Sequence, residues 1–220
     1  ERDGSKGHGL QHNPFNSIIA PRPIGWIGSQ SKAGAVNLAP YSFFNAVNYH
    51  PPMIGFASID FKDTVRNILE TGEFTWNLAS WPLAQAVNIT CEPVEPDVDE
   101  FELAGLTKVA STLVAPPRVR ESDVNFECRM TSYSQLKNKE GKHIDTWFVF
   151  GEVVGVHISK HLVENGVYDT VKGAPIMRGG GPADYFRIFE DNRFIMHRKH
   201  GHLEDPGFAD PGLHGEGNSV

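Results

Sequence analysis

"VNFECRMTSYSQL" (124–136) and "DTWFVFGEVVGVHIS" (145–159) flank the polar stretch "KNKEGK" (137–142). The flanks alternate or run apolar and are rich in Val, Phe, Thr, Tyr and Trp, as strands are. The charged, Gly-containing stretch between them suits a tip. The segment therefore predicts a long antiparallel β-hairpin, and a chain committed to it has to cover the faces of that pair with further strands or helices.

Outward from the hairpin, short apolar runs predict more strands. "SIIAPRPIGWIGSQ" (17–30) reads as a strand interrupted by Pro21 and Pro23, and "SKAG" (31–34) as a hairpin turn. "PMIGFASID" (52–60), "FTWNLAS" (74–80) and "YFRIF" (185–189) have strand character too. In "KDTVRNILETGEF" (62–74) the period changes: Val65, Ile68 and Leu69 fall at i, i+3, i+4. Asp63 as N-cap and Gly72 as stop then bound a short helix. "PLAQAVNIT" (82–90) predicts a second helix with Pro82 in its first turn, and Asp99–Ala104 a weak third. Strands and helices do not alternate regularly, so a doubly wound parallel sheet is excluded in favour of a small antiparallel barrel with inserted helices. Residues 1–14 read as a polar arm, 15–200 as one domain and 201–220 as a loosely structured tail.

A formal net charge of -7 carries no electrostatic footprint for nucleic acid or an anionic membrane. No apolar run reaches the roughly 20 residues of a membrane span, and "ERDGSKGHGLQHNP" (1–14) has no apolar signal-peptide core. Cys91 and Cys128 read as free thiols of a reducing compartment, which predicts a cytoplasmic protein. The ten histidines include the cluster "HRKHGH" (197–202), but Arg198 and Lys199 would repel a cation there, and no HExxH or zinc-finger spacing occurs. GxSxG, the P-loop and the dinucleotide-binding glycine fingerprint are absent as well. "RGGGPADYF" (178–186) reads as a flexible Gly-rich turn.

"FKDTVRNI" (61–68) is the stronger chemical signal. A helix N-terminus presents free backbone N–H groups and the positive end of its dipole. Lys62 adds a charge, Thr64 a hydroxyl, and Arg66 and Asn67 further donors, a set able to hold a terminal phosphate. "NLAPYSFFNAVNYHPP" (37–52) supplies amides, a hydroxyl and aromatics, with Pro40 keeping the backbone extended. Such a stretch can bind the edge of a flat heterocycle and cover its face. Because neighbours on an extended chain face opposite ways, Phe43 is expected nearest the ligand and Phe44 in the core.

The residues Arg22–Pro23, Asn37–Pro40, Ser42, Phe44–Asn45, Pro51–Pro52, Lys62–Thr64, Asn67–Ile68 and Thr71–Phe74, followed by "GEVVGVHI" (151–158), occur in the order of a known family. Over residues 13–198 the chain resembles the flavin reductase-like family of FMN-binding split barrels. The resemblance implies a mainly β, Greek-key-like antiparallel split barrel, a homodimer with FMN near the subunit interface. Members include NAD(P)H:flavin reductases that feed monooxygenase partners, ferric reductases and flavoredoxin-like electron carriers. Carried over position by position, Lys62, Asp63, Thr64 and Asn67 would surround the FMN phosphate. Asn37, Ala39, Ser42 and Phe43 would line the isoalloxazine and ribityl chain, with Arg22 near the phosphate or ring edge. "MHRKHGHLEDPGFADPGLHGEG" (196–217) departs from the compact Arg-Pro ending of many members.

If FMN binds, the flavin carries the chemistry and no catalytic side chain is required. The expected activity is hydride transfer from NADH or NADPH to flavin. An electron carrier reduced by a protein partner and a flavin-binding module without redox turnover are the alternatives.

Overall fold

The hairpin is the longest element of the computed structural model, which describes residues 7, 9–10, 13–95, 98–181 and 183–195. In chain order the strands are β1 (Arg22–Pro23), β2 (Gly25–Gln30), β3 (Val36–Tyr41), β4 (Phe44–Asn48), β5 (Met53–Ile59), β6 (Glu73–Asn77) and β7 (Lys108–Val109). They continue as β8 (Arg118–Val119), β9 (Val124–Lys137), β10 (His143–Ile158), β11 (Val163–Glu164), β12 (Val167–Tyr168), β13 (Ile176–Gly180) and β14 (Asp184–Arg187). The helices are α1 (Phe15–Ile18), α2 (Asp63–Thr71), α3 (Ala84–Ile89) and α4 (Glu100–Leu103). β9 and β10 form the expected hairpin, with a tip closed by Asn138 N–H donating to Lys142 O at 2.9 Å.

One antiparallel sheet has the order β3-β2-β6-β9-β10-β5-β4. Its two edge strands, β3 and β4, are consecutive in the chain and joined by Ser42 and Phe43 alone. Three Cα steps reach at most about 11 Å, whereas six strand spacings in a flat sheet would span about 29 Å. The sheet therefore curls into a barrel whose seam lies at Ser42–Phe43. Phe43 O accepts from Ala57 N at 2.8 Å, and Gly25 of β2 packs directly on Phe44 of β4.

A Cβ on Gly25 would lie 2.7 Å from Phe44 Cδ2 and 3.1 Å from Phe44 Cβ, the base of the side chain, which has little freedom to move away. Gly25→Ala is thus expected to cost about 1–3 kcal/mol of overpacking. Urea denaturation read by circular dichroism measures it, and an unchanged midpoint would contradict closure at this seam.

Inside the barrel, alternate residues of each strand form the core: Ile27, Tyr41, Ile54, Phe56, Phe74, Cys128, Val149 and Val153, with Ile68 sent in from α2. Phe44 packs against this cluster, its ring 5.9 Å from that of Trp76 and nearly parallel to it, so its expected core position holds. The outer face of β2 and β3 is covered by a second cluster that includes Trp26, Leu38, Val87 of α3 and Phe101 of α4.

The outer face of β6 and β9 follows a different rule. Thr75, Asn77, Asn125 and Glu127 alternate with the core residues, yet all are buried. Their partners are backbone groups of the 107–122 segment: Thr75 Oγ1 donates to Pro117 O, and Asn77 Oδ1 accepts from Val119 N.

Several boundaries differ from the sequence reading. Residues 15–18 form a helical turn rather than the start of a strand, because the buried Arg22 guanidinium donates to the carbonyls of Asn16 and Ile19. Lys62, not Asp63, is the N-cap of α2; Asp63 opens the helix and pairs with Arg66 instead of capping. In "RGGGPADYF", Arg178–Gly180 end β13 and Asp184–Phe186 belong to β14, so most of the stretch is a strand pair, and Arg178 donates to the carbonyls of Gly180, Gly181 and Asp184. No helix among the described residues is long and apolar enough to cross a membrane. The "HRKHGH" cluster and the tail lie outside the described residues.

Candidate functional site

The first turn of α2 leaves the N–H groups of Asp63, Thr64 and Val65 without an intrahelical acceptor. These residues lie at one end of a cavity of about 370 Å³, whose walls include Asn37, Ala39, Pro40 and Tyr41 of β3 and the Thr90–Val94 loop. Lys62 and Arg66 also line it, and Arg66 forms an ion pair with Asp63. The Asp63 charge is thereby offset, leaving Lys62, among the described residues of this wall, as the cation available to an anion.

β3 pairs on one side only, with β2. On its other edge Leu38 N–H donates to Glu100 Oε2 at 3.0 Å. Pro40, two residues on, shares that edge and has no N–H to leave unpaired, so an exposed sheet edge is blunted without losing a ladder bond. The Asn37 amide is satisfied when its nitrogen donates to Glu100 Oε1 (3.2 Å) and its oxygen accepts from Thr64 Oγ1 (2.8 Å) and Leu38 N (3.2 Å). Asn37, Thr64 and Glu100 are all buried, so this network fixes β3 against the start of α2. Burial pushes the Glu100 carboxyl above its ordinary range, opposed in part by the Leu38 N–H bond.

Tyr41 was not foreseen as a site residue. Its hydroxyl is buried on the cavity wall and makes no hydrogen bond of ordinary geometry. Burial pushes it up to about 12, tempered by the nearby Thr64 and Ser58 hydroxyls. An orphaned buried hydroxyl costs stability unless a partner arrives. Glu100 was equally hidden, inside the weak helix expected over Asp99–Ala104.

The residues expected at the site are divided among three cavities. Asn37, Ala39, Lys62, Asp63 and Thr64 share the first. Arg22, Ser42 and Phe43 line a second, of about 510 Å³, where the Arg22 guanidinium lies 5.6 Å from the Phe43 ring centre. Asn67 faces a third cavity beside Asp63 and Arg66, and its amide donates to Ser29 Oγ at 3.2 Å. Pro40 and Tyr41, at the end of β3, line the first cavity, and the next two residues of the chain, Ser42 and Phe43, line the second.

The site thus combines a curled antiparallel barrel with a helix N-terminus and a blunted strand edge at one cavity. The model of the flavin reductase like domain matches residues 18–174, and the chain belongs to that family. An uncharacterized protein of Aquifex aeolicus is 40% identical over 170 residues, covering 74% of this chain and 83% of its own. The crystal structure of nitrilotriacetate monooxygenase component B from Bacillus cereus is 31% identical and superposes with a TM-score of 0.77, over 85% of this chain and 98% of that one. A Shewanella frigidimarina flavin reductase structure with a split barrel domain, 24% identical, shares the fold at a TM-score of 0.76, over 90% and 100% of the two chains. The fold is accordingly a split barrel.

Proposed function

We propose that the chain is an FMN-dependent oxidoreductase drawing hydride from NADH or NADPH and delivering it to free flavin or a related acceptor. The observation that carries this reading is the cavity joining the first turn of α2 to the outward edge of β3. Bound FMN would supply a ring that accepts hydride and passes electrons on.

The chain's own part is binding and orientation. Lys62 and the N–H groups of Asp63 and Thr64 would hold the phosphate, with Arg66 keeping Asp63 from repelling it. The outward carbonyls of Leu38 and Pro40 offer acceptors to a ring N–H, and the Tyr41 hydroxyl offers the donor that lacks a partner. Ser42 and Phe43 would carry the slot around the seam toward Arg22, whose buried Nε is also unpartnered. Asn67 acts behind the phosphate, tying α2 to Ser29 of β2. The family supports a homodimer, and the relation to a monooxygenase component supports an oxygenase partner taking up the reduced flavin.

The test starts with an absorbance spectrum of the protein titrated with FMN, followed anaerobically by NADH and then NADPH. Bleaching of the bound flavin by either nucleotide is the expected result; a protein that takes up no FMN would overturn the reading. In the same titration Lys62→Ala should weaken FMN about tenfold or more. Riboflavin, which lacks the phosphate, should be unaffected. An equal loss for both ligands would remove Lys62 from the phosphate.

A further inference from the structure

Another cavity, of about 540 Å³, opens beside the first, and Cys91 lies on the wall of both. Its floor is partly apolar, with Ala84, Ile176 and Ala183, while Gln85 and Asn88 of α3 contribute amides. Arg178 and Arg187 line it together with Trp81 and Tyr185, and no carboxylate among the described residues does. In a chain of net charge -7, a pocket walled by arginines without an acid is a local reversal of sign.

The two arginines differ. Arg178 spends its guanidinium on the carbonyls that hold the β13–β14 turn, and its planar head lies 5.2 Å from the Tyr185 ring centre. Arg187 packs against two aromatic rings, 4.2 Å from the centre of Trp81 and 4.9 Å from that of Phe189. Both rings are about half exposed, Trp81 at 52% and Phe189 at 51%. Stacking fixes the plane of a guanidinium while leaving its N–H edge directed outward, the arrangement that meets phosphate oxygens bidentately.

We propose that this cavity docks the adenylate half of the nicotinamide dinucleotide donor, with its phosphates at Arg187 and its adenosine against Trp81 and the α3 amides. The proposal rests on the hydride-transfer reading above and adds the place where the donor is held: next to the first cavity, across Cys91. Contacts to this remote half bind the donor equally before and during transfer, so they act on its affinity rather than on the limiting rate.

The experiment uses the FMN-loaded protein and an Arg187→Ala variant, with FMN affinity as the check that the variant is folded. ADP-ribose, which has the adenylate half and no reducing ring, is titrated calorimetrically. Separately, the bound flavin is reduced anaerobically with NADH, NADPH and reduced nicotinamide mononucleotide. Arg187→Ala is expected to weaken ADP-ribose and raise the half-saturating dinucleotide concentration by roughly ten- to a hundredfold. The limiting rate and the response to the mononucleotide should not change, and Arg187→Lys should recover only part of the loss. Unaltered ADP-ribose affinity in Arg187→Ala, or an equal loss with the mononucleotide, overturns the assignment of this cavity. Wild-type flavin that no nicotinamide nucleotide bleaches overturns the hydride reading, and a loss of ADP-ribose affinity in Arg187→Ala would still support the cavity as an adenylate site.

Discussion

Glu127→Ala is expected to destabilise the protein by about 3–5 kcal/mol, the range for removing one member of a buried charged network. Glu127 is fully buried on the outer face of β9. Its carboxylate accepts from Thr112 N at 2.9 Å, from Leu113 N at 2.5 Å and from His157 Nε2 at 2.6 Å, with Arg118 Nε 3.7 Å away. Truncation leaves all these donors facing a void, and the 107–122 segment loses its strongest tie to the barrel. Glu127→Gln keeps the shape but loses the charge, so it should fall between wild type and Ala in thermal unfolding.

The same residue sets an acid limit. Burial alone would raise its carboxyl, but the bonds from Thr112, Leu113 and His157 outweigh that and hold it below the ordinary glutamate value. A carboxyl depressed in the folded state stabilises fully above its unfolded value of about 4.3, and the contribution fades as pH falls through the folded value. Wild-type stability should therefore drop below about pH 4 more steeply than that of Glu127→Gln, in denaturant titrations across pH. Parallel curves would show that Glu127 is not ionised in the fold.

Trp26→Ala should cost about as much, roughly 3–5 kcal/mol, through a large cavity in the outer cluster. Trp26 has no exposed surface, and its Nε1 donates to Thr90 Oγ1 at 3.0 Å. Thr90 in turn donates to Val87 O at 2.9 Å and stands on the wall of the candidate flavin cavity. For a chain of this length the expected fall in Tm is roughly 6–20 °C, read by circular dichroism. Trp26→Phe separates packing from positioning: it keeps most of the volume and removes the bond to Thr90. A small stability loss with clearly weaker FMN binding is the expected pattern. Full retention of FMN affinity would mean that Thr90 is not held in place by Trp26.

The strand and helix skeleton was legible because its signals are local. The alternation in "VNFECRM" and the 3.6-residue spacing of Val65, Ile68 and Leu69 each arise within one element. The same alternation misleads about the outer face. Asn125 and Glu127 look solvent-facing, yet both are buried: Glu127 accepts from the Thr112 and Leu113 N–H groups, and the Asn125 amide donates to Val119 O and Asn77 Oδ1. Lys62, Thr64 and Asn37 could be picked out from short motifs, and they do meet at one cavity. Tyr41 and Glu100 could not. One owes its place to the curl of the sheet, and the other to a bond with Leu38 across 62 positions of sequence. Arg22, set between two prolines, donates to the carbonyls of Asn16 and Ile19 and keeps its buried Nε unpartnered on the wall of the second cavity.

The seam at Ser42–Phe43 also governs the order in which the molecule can assemble. β3 and β4 are neighbours in sequence, yet their junction closes only after the intervening strands have paired. Those pairings join distant residues, such as Trp26 with Asn77, Trp76 with Phe126 and Phe56 with Val149. Loop-closure entropy must therefore be met before the junction can form, the signature of a slow, high-contact-order folder. The stretch from Asn37 to Asn45, which walls the first two cavities, is completed last. Amide protons of β3 that bond to β2 should accordingly exchange through local opening, at lower free energy than those shared by β9 and β10, a difference native-state hydrogen exchange measures.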